Sequence, residues 1–376
     1  MKLRKCGIAE FAKETEGKQI VCFGASSLIH DLCSFYNQFK FHNRITAIAD
    51  NNTSKHGSYF DVMGETMKII SVDDLKNMVS ANKDLALLIT VHHLSCAGVY
   101  RQLNAVPELE DLNCYIYAMF PFCETVGEIP KAILALKRDK PQIPKIIHYF
   151  WVGGNPIPEK NLKCIESWKK HCPEYEIKRW DEHNYDFRKN AYMAEAYASK
   201  KWGYASDYAR LDIIYQYGGI YLDVDVEIIK SFDDLLCYPA FLGLGQHNVV
   251  NTGHGFGAAT GNQLIKEMRD EYEGIHFLKE DGSYRLATCD QYQTETLRRH
   301  GFTGGNRFSV VYDTVIFPTE FFSPKNTAFG IIRITDHCHS IHHFDNSLFS
   351  SQELLQRKAN RDMFQTYLRD ENVLYE

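Results

Sequence analysis

No run of this 376-residue chain is apolar for long enough to span a bilayer, and Met1-Lys-Leu-Arg-Lys-Cys-Gly-Ile-Ala-Glu10 starts basic without the apolar stretch of a secretory leader. A cytoplasmic protein is expected, with peripheral attachment at the inner face of a membrane left open. Paired cysteines are missing too. The 11 thiols make an odd count and none stands in a Cys-x-x-Cys spacing, which speaks against a structural zinc module or a secreted disulfide framework. Basic excess is absent, the net charge being −6, so no general nucleic-acid binder is expected. Internal repeats and low-complexity runs are also lacking, which excludes solenoids and arrays. What the chain has in quantity is rings, with 22 Tyr and 23 Phe available for cores or for platforms that stack on sugars.

Alternating strand and helix patterns organise the chain as α/β. Lys18 to Gly24 reads as a buried strand running into a glycine turn, and a helical pattern follows through Leu28, Leu32, Phe35 and Phe39. Arg44 to Asp50 and Leu85 to Val91 supply further strands around a helix at Val72 to Val79, implying a small Rossmann-like parallel sheet over residues 1–125. Its turn, Gly24-Ala25-Ser26-Ser27-Leu28-Ile29, lacks the second and third glycines of a dinucleotide fingerprint, so nucleotide binding and a structural or docking role both stay open, with Asp50 the residue to test. Residues 126–143, holding Gly127, Pro130 and Pro141 around a short helix, read as a linker. A larger α/β domain with a C-terminal helical tail is expected over residues 144–376. It begins with the strand Lys145 to Trp151, a Gly-Gly loop, the helix Asn161 to His171 and the strand Tyr175 to Trp180.

The chemistry concentrates between Tyr204 and Asp225. At 100° per residue, positions 204, 207, 210, 211, 214 and 215 share one helical stripe, in which Asp207 and Arg210 interrupt an apolar face. Either they form an i,i+3 ion pair tucked against the core, or they line a pocket. Gly218-Gly219 then ends the helix and opens a strand whose alternation puts Ile220, Leu222, Val224, Val226 and Ile228 on one face and Tyr221, Asp223, Asp225 and Glu227 on the other. Two carboxylates so placed repel unless a proton, a basic group or a hard divalent cation lies between them, which suits Mg²⁺ or Mn²⁺.

From Ile143 to about Ser347 the ordered motifs Ile143-Pro-Lys-Ile-Ile-His-Tyr-Phe-Trp-Val-Gly-Gly154, Ala205-Ser-Asp-Tyr-Ala-Arg210, Gly218-Gly-Ile-Tyr-Leu-Asp-Val-Asp225, Asn251-Thr-Gly253 and Ser340-Ile-His-His-Phe-Asp-Asn-Ser347 resemble one family. It is the DxD glycosyltransferase family of yeast Golgi α-mannosyltransferases, clostridial toxin glucosylating domains and bacterial capsule enzymes. The resemblance implies a GT-A fold and Mn²⁺- or Mg²⁺-assisted transfer, with retention, from a nucleotide-sugar donor. A UDP-sugar is favoured, with a saccharide or lipid-linked saccharide acceptor in surface polysaccharide synthesis. By the same resemblance Asp225 ligates the metal and Asp223 assists, Asp207 and Arg210 hold hydroxyls of the transferred sugar, and Trp151 stacks on the donor base. Asn251 matches a family residue near the sugar, although a turn-stabilising asparagine reads equally well.

His343 is expected as the third metal ligand, ahead of His342. The chain departs from the family at Leu348, where many relatives carry Trp, and at Thr288-Cys289-Asp290, where broader members often carry Gly-Pro. Asp290 is therefore left as a candidate without an assigned role. A non-catalytic nucleotide-sugar scaffold or sensor, and a transferase that modifies proteins, are the alternative functions.

Overall fold

The computed structural model describes the whole chain except residues 125, 246–248, 345–349, 369–373 and 376. It resolves into two compact units. The first comprises Met1–Thr125, Asn326–Arg333 and Asn346–Glu376, and the second Val126–Lys325 and Ile334–Asp345.

In the first unit seven strands, β1 (Lys2–Leu3), β2 (Gln19–Phe23), β3 (Ile45–Ala49), β4 (Tyr59–Val62), β5 (Glu65–Ile70), β6 (Leu85–Ile89) and β7 (Asn113–Ile116), order as β1-β7-β6-β2-β3-β5-β4. All neighbours are parallel except the β4–β5 hairpin. Every residue of β6 is buried, as expected for a central parallel strand covered on both faces. The helices are α1 (Ile8–Glu14), α2 (Leu28–Phe35), α3 (Val72–Ala81), α4 (Cys96–Asn104) and α5 (Phe120–Cys123). Ser71 and Asp74 form a reciprocal capping box that starts α3. At the Gly24 turn the Ala25 N–H donates to Asp50 Oδ2 at 2.9 Å, and Lys55 Nζ lies 3.3 Å from the same oxygen. The acid thus occupies one of the amides that a dinucleotide phosphate would use.

The second unit holds β8 (Ile146–Phe150), β9 (Glu176–Trp180), β10 (Gly219–Tyr221), β11 (Val226–Ile228), β12 (Ala240–Gly243), β13 (Phe256–Ala258), β14 (Ser309–Val311) and β15 (Thr314–Phe317). Its helices are α6 (Lys131–Leu134), α7 (Glu159–His171), α8 (Ala191–Ala198), α9 (Trp202–Tyr217), α10 (Gln263–Asp270) and α11 (Cys289–Arg299). The main sheet runs β14-β15-β12-β13-β10-β8-β9, parallel at β8–β9, β8–β10 and β12–β15 and antiparallel around β13. Helix α9 is buried on all sides from Ala205 to Ile214, so it runs through the core rather than over it. At its end Gly218 and Gly219 both take positive φ, and a Cβ on Gly219 would sit 2.7 Å from the Ile146 carbonyl oxygen. His148 completes the junction, its Nε2 3.0 Å from the Gly218 carbonyl and its Nδ1 accepting from Trp180 Nε1 at 3.0 Å.

Two boundaries differ from the sequence expectation. Residues 126–143 are not a free linker: Ile133 and Ile143 are buried in the second unit's core, and the Arg138 and Gln142 amides donate to the Cys237 and Leu236 carbonyls. The C-terminal tail does not belong to the second unit either. After β16 (Lys325–Asn326) the chain contributes β17 (Ile331–Ile332) to the first unit, returns to the second for β18 (Ser340–His342), and leaves again into α12 (Ser351–Leu368) and β19 (Leu374–Tyr375). Met363, Phe364 and Leu368 of α12 are buried in the first unit's core, and Asn360 accepts from the Ala97 amide while donating to the His93 carbonyl. Burial of that apolar face fixes which unit the tail joins.

Candidate active site

The two acids do not lie on one continuous strand. Pairing of β10 stops at Tyr221, the Val226 amide donates to the Asp223 carbonyl across a tight turn, and the chain restarts as β11, paired with β18 rather than with the main sheet. The inside–outside pattern survives the turn: Ile220, Leu222, Val226 and Ile228 are buried in one cluster and Tyr221 in another. Helix α7 fixes the far side of the turn, because Trp168 Nε1 donates to the Val226 carbonyl at 2.7 Å and Ser167 Oγ accepts from the Ile228 amide. The carboxylates therefore project from a turn at the carboxyl end of a parallel strand, the usual position for a ligand site in an α/β sheet.

The histidine that meets them is His342, a correction of the expectation for His343. In the antiparallel β11–β18 register His342 stands opposite Val226, and its Nε2 is 3.1 Å from Asp225 Oδ1. His343 Nε2 instead lies 2.9 Å from Glu227 Oε2, while its backbone amide donates to the Asp225 carbonyl. Ligand atoms of Asp223, Asp225 and His342 all fall within 4.8 Å of one another. The set fits a divalent cation. Two carboxylates suit Mg²⁺ or Mn²⁺, and the imidazole makes Mg²⁺, which prefers an oxygen shell, the poorer match. Burial works to lower the His342 pKa, but the Asp225 and Asp223 charges outweigh it and hold the value above that of free histidine. His342 Nδ1 is buried without a hydrogen-bond partner.

Beside this cluster Arg210 reaches both acids of its neighbourhood. Its Nη2 lies 3.2 Å from Asp207 Oδ1 and 3.5 Å from Asp223 Oδ1, and it donates to Ser206 Oγ at 2.6 Å. Asp207 and Arg210 are buried, so they are an ion pair as well as part of the site. Burial pushes the Asp207 carboxyl up to about 7 against the pull of Arg210, whereas the carboxylates around Arg210 hold it charged in spite of its burial. Helix α9 carries a second buried acid off that stripe: Asp212 accepts from Tyr185 and Gln216 and pairs with Lys189, which is a structural network.

Trp151 follows β8 directly. Because β8 pairs in parallel with β10, it lies at the same sheet end as the Asp223–Asp225 turn. It is half-buried, with Nε1 donating to the Asn155 carbonyl at 2.7 Å, and Glu182 accepts from the Gly153 amide in the loop beyond. Asn251 does hold a turn, its Oδ1 accepting from the Gly253 amide at 2.7 Å. Leu348 lies outside the described residues, as does the motif's end after Phe344.

Gly253 is the residue that sequence reasoning missed. Its carbonyl accepts from the Asp223 amide at 2.9 Å, and a Cβ there would overlap Asp223 Oδ2 and stand 3.0 Å from Asn251 Oδ1 and 3.2 Å from Arg210 Nη1. Only the Asn-Thr-Gly spacing hinted at it. Gly253→Ala is expected to cost about 1–3 kcal/mol by overpacking and to displace the Asp223 carboxylate. Urea unfolding and a Mn²⁺ titration check this, and unchanged values for both would remove Gly253 from the site.

Residues 158–242 match the family described as glycosyltransferase sugar-binding region containing DXD motif. Inositol phosphoceramide mannosyltransferase 3 of Schizosaccharomyces pombe is 40% identical over 104 residues, 27% of this chain and 29% of that protein. Mannosyl phosphorylinositol ceramide synthase SUR1 of Saccharomyces cerevisiae is 36% identical over 112 residues, covering 27% and 28%. Subversion of eukaryotic traffic protein A of Legionella pneumophila is 26% identical over 186 residues, covering 41% and 29%. The chain thus spans 28–29% of the length of each of these three relatives. A solved structure of PaToxG Glycosyltransferase overlays with a TM-score of 0.35 at 22% identity, covering 45% of this chain and 74% of that one. The matched segment contains α9, Asp207, Arg210, Asp223 and Asp225, so these four charged residues of the site lie in the stretch that is similar to the DXD-motif glycosyltransferase family.

Proposed function

We propose that the chain is a metal-assisted GT-A glycosyltransferase that moves a sugar from a nucleotide-sugar donor, a UDP-sugar being favoured, to a hydroxyl of a lipid-linked saccharide or polyol, with retention of configuration. The observation that carries this reading is the convergence of Asp223, Asp225 and His342 beside the buried Asp207–Arg210 pair. A phosphohydrolase would also use the first set, but it would leave a charged pair buried in the core helix without a task. The relatives named for inositol phosphoceramide support a polyol hydroxyl on a lipid, and the resemblance to capsule enzymes supports a saccharide; the two acceptors share that hydroxyl. Peripheral contact with a membrane would follow from either. A cytoplasmic location belongs to the same proposal.

Asp225, Asp223 and His342 would hold the Mn²⁺ or Mg²⁺, which when bound supplies Lewis-acid charge for the departing diphosphate. Arg210, kept charged, fixes the Asp223 carboxylate and would donate to a hydroxyl of the sugar. Asp207 accepts from or donates to a sugar hydroxyl, since its raised pKa makes both protonation states accessible near neutrality. Trp151 provides the face on which the base stacks. Thermal-shift measurements with UDP-glucose, UDP-galactose, UDP-N-acetylglucosamine and GDP-mannose, each with and without Mn²⁺, test the proposal. At least one is expected to raise the melting temperature in a Mn²⁺-dependent way and to be hydrolysed slowly; stabilisation by none of them would overturn it. Trp151→Ala is expected to weaken UDP binding by about 1–3 kcal/mol, the range found for base stacking, and an unaltered dissociation constant would return this ring to the core.

A further inference from the structure

Helix α11 enters the site at its first turn, where the chain departs from the family pattern. Two hydrogen bonds dock the helix on the Asn251 loop: Gln293 Nε2 donates to Thr252 Oγ1 at 2.8 Å, and the Val250 amide donates to Thr294 Oγ1 at 3.0 Å. Position 290 is three and four residues before those two and so lies on the same helix face, one turn nearer the N-terminus. Next to it Cys289 Sγ is 4.0 Å from Arg210 Nη1, which sets this turn beside the Asp207–Arg210 pair. Asp290 Oδ1 is buried there with no hydrogen-bond partner.

Other polar atoms nearby are equally unsatisfied. Gln293 Oε1, on the same face, is buried and unpartnered in a residue of 0% exposure. The hydroxyls of Tyr192 and Tyr272, both fully buried, also lack partners, and after burial itself the nearby Asp207 charge is what raises their pKa values most. A buried carboxylate oxygen without a donor costs free energy comparable to a lost charged hydrogen bond, and a chain that needed only a favourable charge at a helix N-terminus would leave that carboxylate in water. The complementary group is an O–H. Sugars present these as rows of donors.

Resting on the transferase reading above, we infer that Asp290 is a specificity-determining residue whose free Oδ1 accepts a hydrogen bond from a sugar hydroxyl, on the donor sugar or on the acceptor. The two sources share one chemistry and separate by experiment. Asp290→Asn keeps the shape and removes the anionic acceptor; Asp290→Ala removes both. Full-length protein with Mn²⁺ is assayed for hydrolysis of whichever of UDP-glucose, UDP-galactose, UDP-N-acetylglucosamine and GDP-mannose the wild type turns over, and for transfer from it to methyl α-mannoside and methyl α-glucoside.

If the hydroxyl is the donor's, Asp290→Asn raises KM for donor hydrolysis about tenfold or more, while binding of the free nucleoside diphosphate and the melting temperature stay unchanged. If it is the acceptor's, hydrolysis is unaffected and KM for the glycoside rises by a similar factor. Unchanged KM values for both, with or without a lower melting temperature, would reduce Asp290 to a helix-terminal charge and overturn the inference. Absence of wild-type turnover on every donor would instead fell the transferase reading itself.

Discussion

Asp225→Ala is expected to lower Mn²⁺-stimulated donor hydrolysis by about a hundredfold or more while circular dichroism stays that of the wild type, because the carboxylate removed is 12% exposed at a turn and is no core side chain. The paired histidine variants make the result specific. His342→Ala is expected to raise the Mn²⁺ concentration for half-maximal activity about ten- to a hundredfold, and His343→Ala to leave it in place, since the second ring faces Glu227. A shifted metal curve for His343→Ala with a normal one for His342→Ala would refute the β11–β18 register as the source of the ligand. The pH dependence has a definite sign. Metal must displace the proton that Asp225 and Asp223 hold on His342, so apparent Mn²⁺ affinity rises with pH through and above the ordinary histidine range and falls on acidification.

That histidine pair shows where sequence reading stops. Alternation carries the buried face through the turn from Asp223 to Val226, but it does not say which histidine of β18 stands opposite the acids, and the ring of His343 turns to Glu227. Whether His342 or His343 meets Asp225 depends on a register set by pairing with β18, more than a hundred residues away, which no local pattern encodes. Local signals were strong where burial was uniform. The all-apolar run of β6 and the Gly218-Gly219 stop of α9 were legible for that reason. The β4–β5 hairpin was not, because its turn carries Met63 at φ +54 before Gly64, a place where Asn or Asp would have announced a positive-φ turn.

The site was read in part because charged residues interrupt an apolar stripe. Asp207 and Arg210 are visible for that reason, whereas Gly253 is not and Asp290 stands in the sequence only as a candidate without a role: the absence of a side chain at one and of a hydrogen-bond partner for Oδ1 at the other matter only after folding. The fate of the C-terminal helix was hidden in the same way. Its few buried positions, Met363, Phe364 and Leu368, form a short apolar patch that names no partner until the first unit's core is assembled.

Arg210→Ala has the largest expected effect on stability. The side chain is 5% exposed and faces Asp207 at 8%, so screening by water is slight, and removing it strands a buried carboxylate. Loss of one partner from such a pair costs roughly 3–5 kcal/mol, to be read as a shift in the urea midpoint. Burial has already raised the Asp207 pKa to about 7, from 3.8 in the unfolded chain, with Arg210 opposing that rise. A raised carboxyl pKa stabilises the folded state below the unfolded value, and that contribution is lost as pH climbs through the folded one. Without Arg210 the folded pKa climbs further, so the variant's deficit should be smaller at pH 5, where Asp207 is protonated, than at pH 8. Asp207→Asn combined with Arg210→Met should recover much of the stability, since neither side chain then buries a charge, yet show no donor hydrolysis. A deficit independent of pH, or a double variant as unstable as Arg210→Ala alone, would mean that the guanidinium packs rather than pairs. Recovery of stability without recovery of turnover would place the pair in the chemistry of the sugar, where its burial in the core helix would otherwise have no explanation.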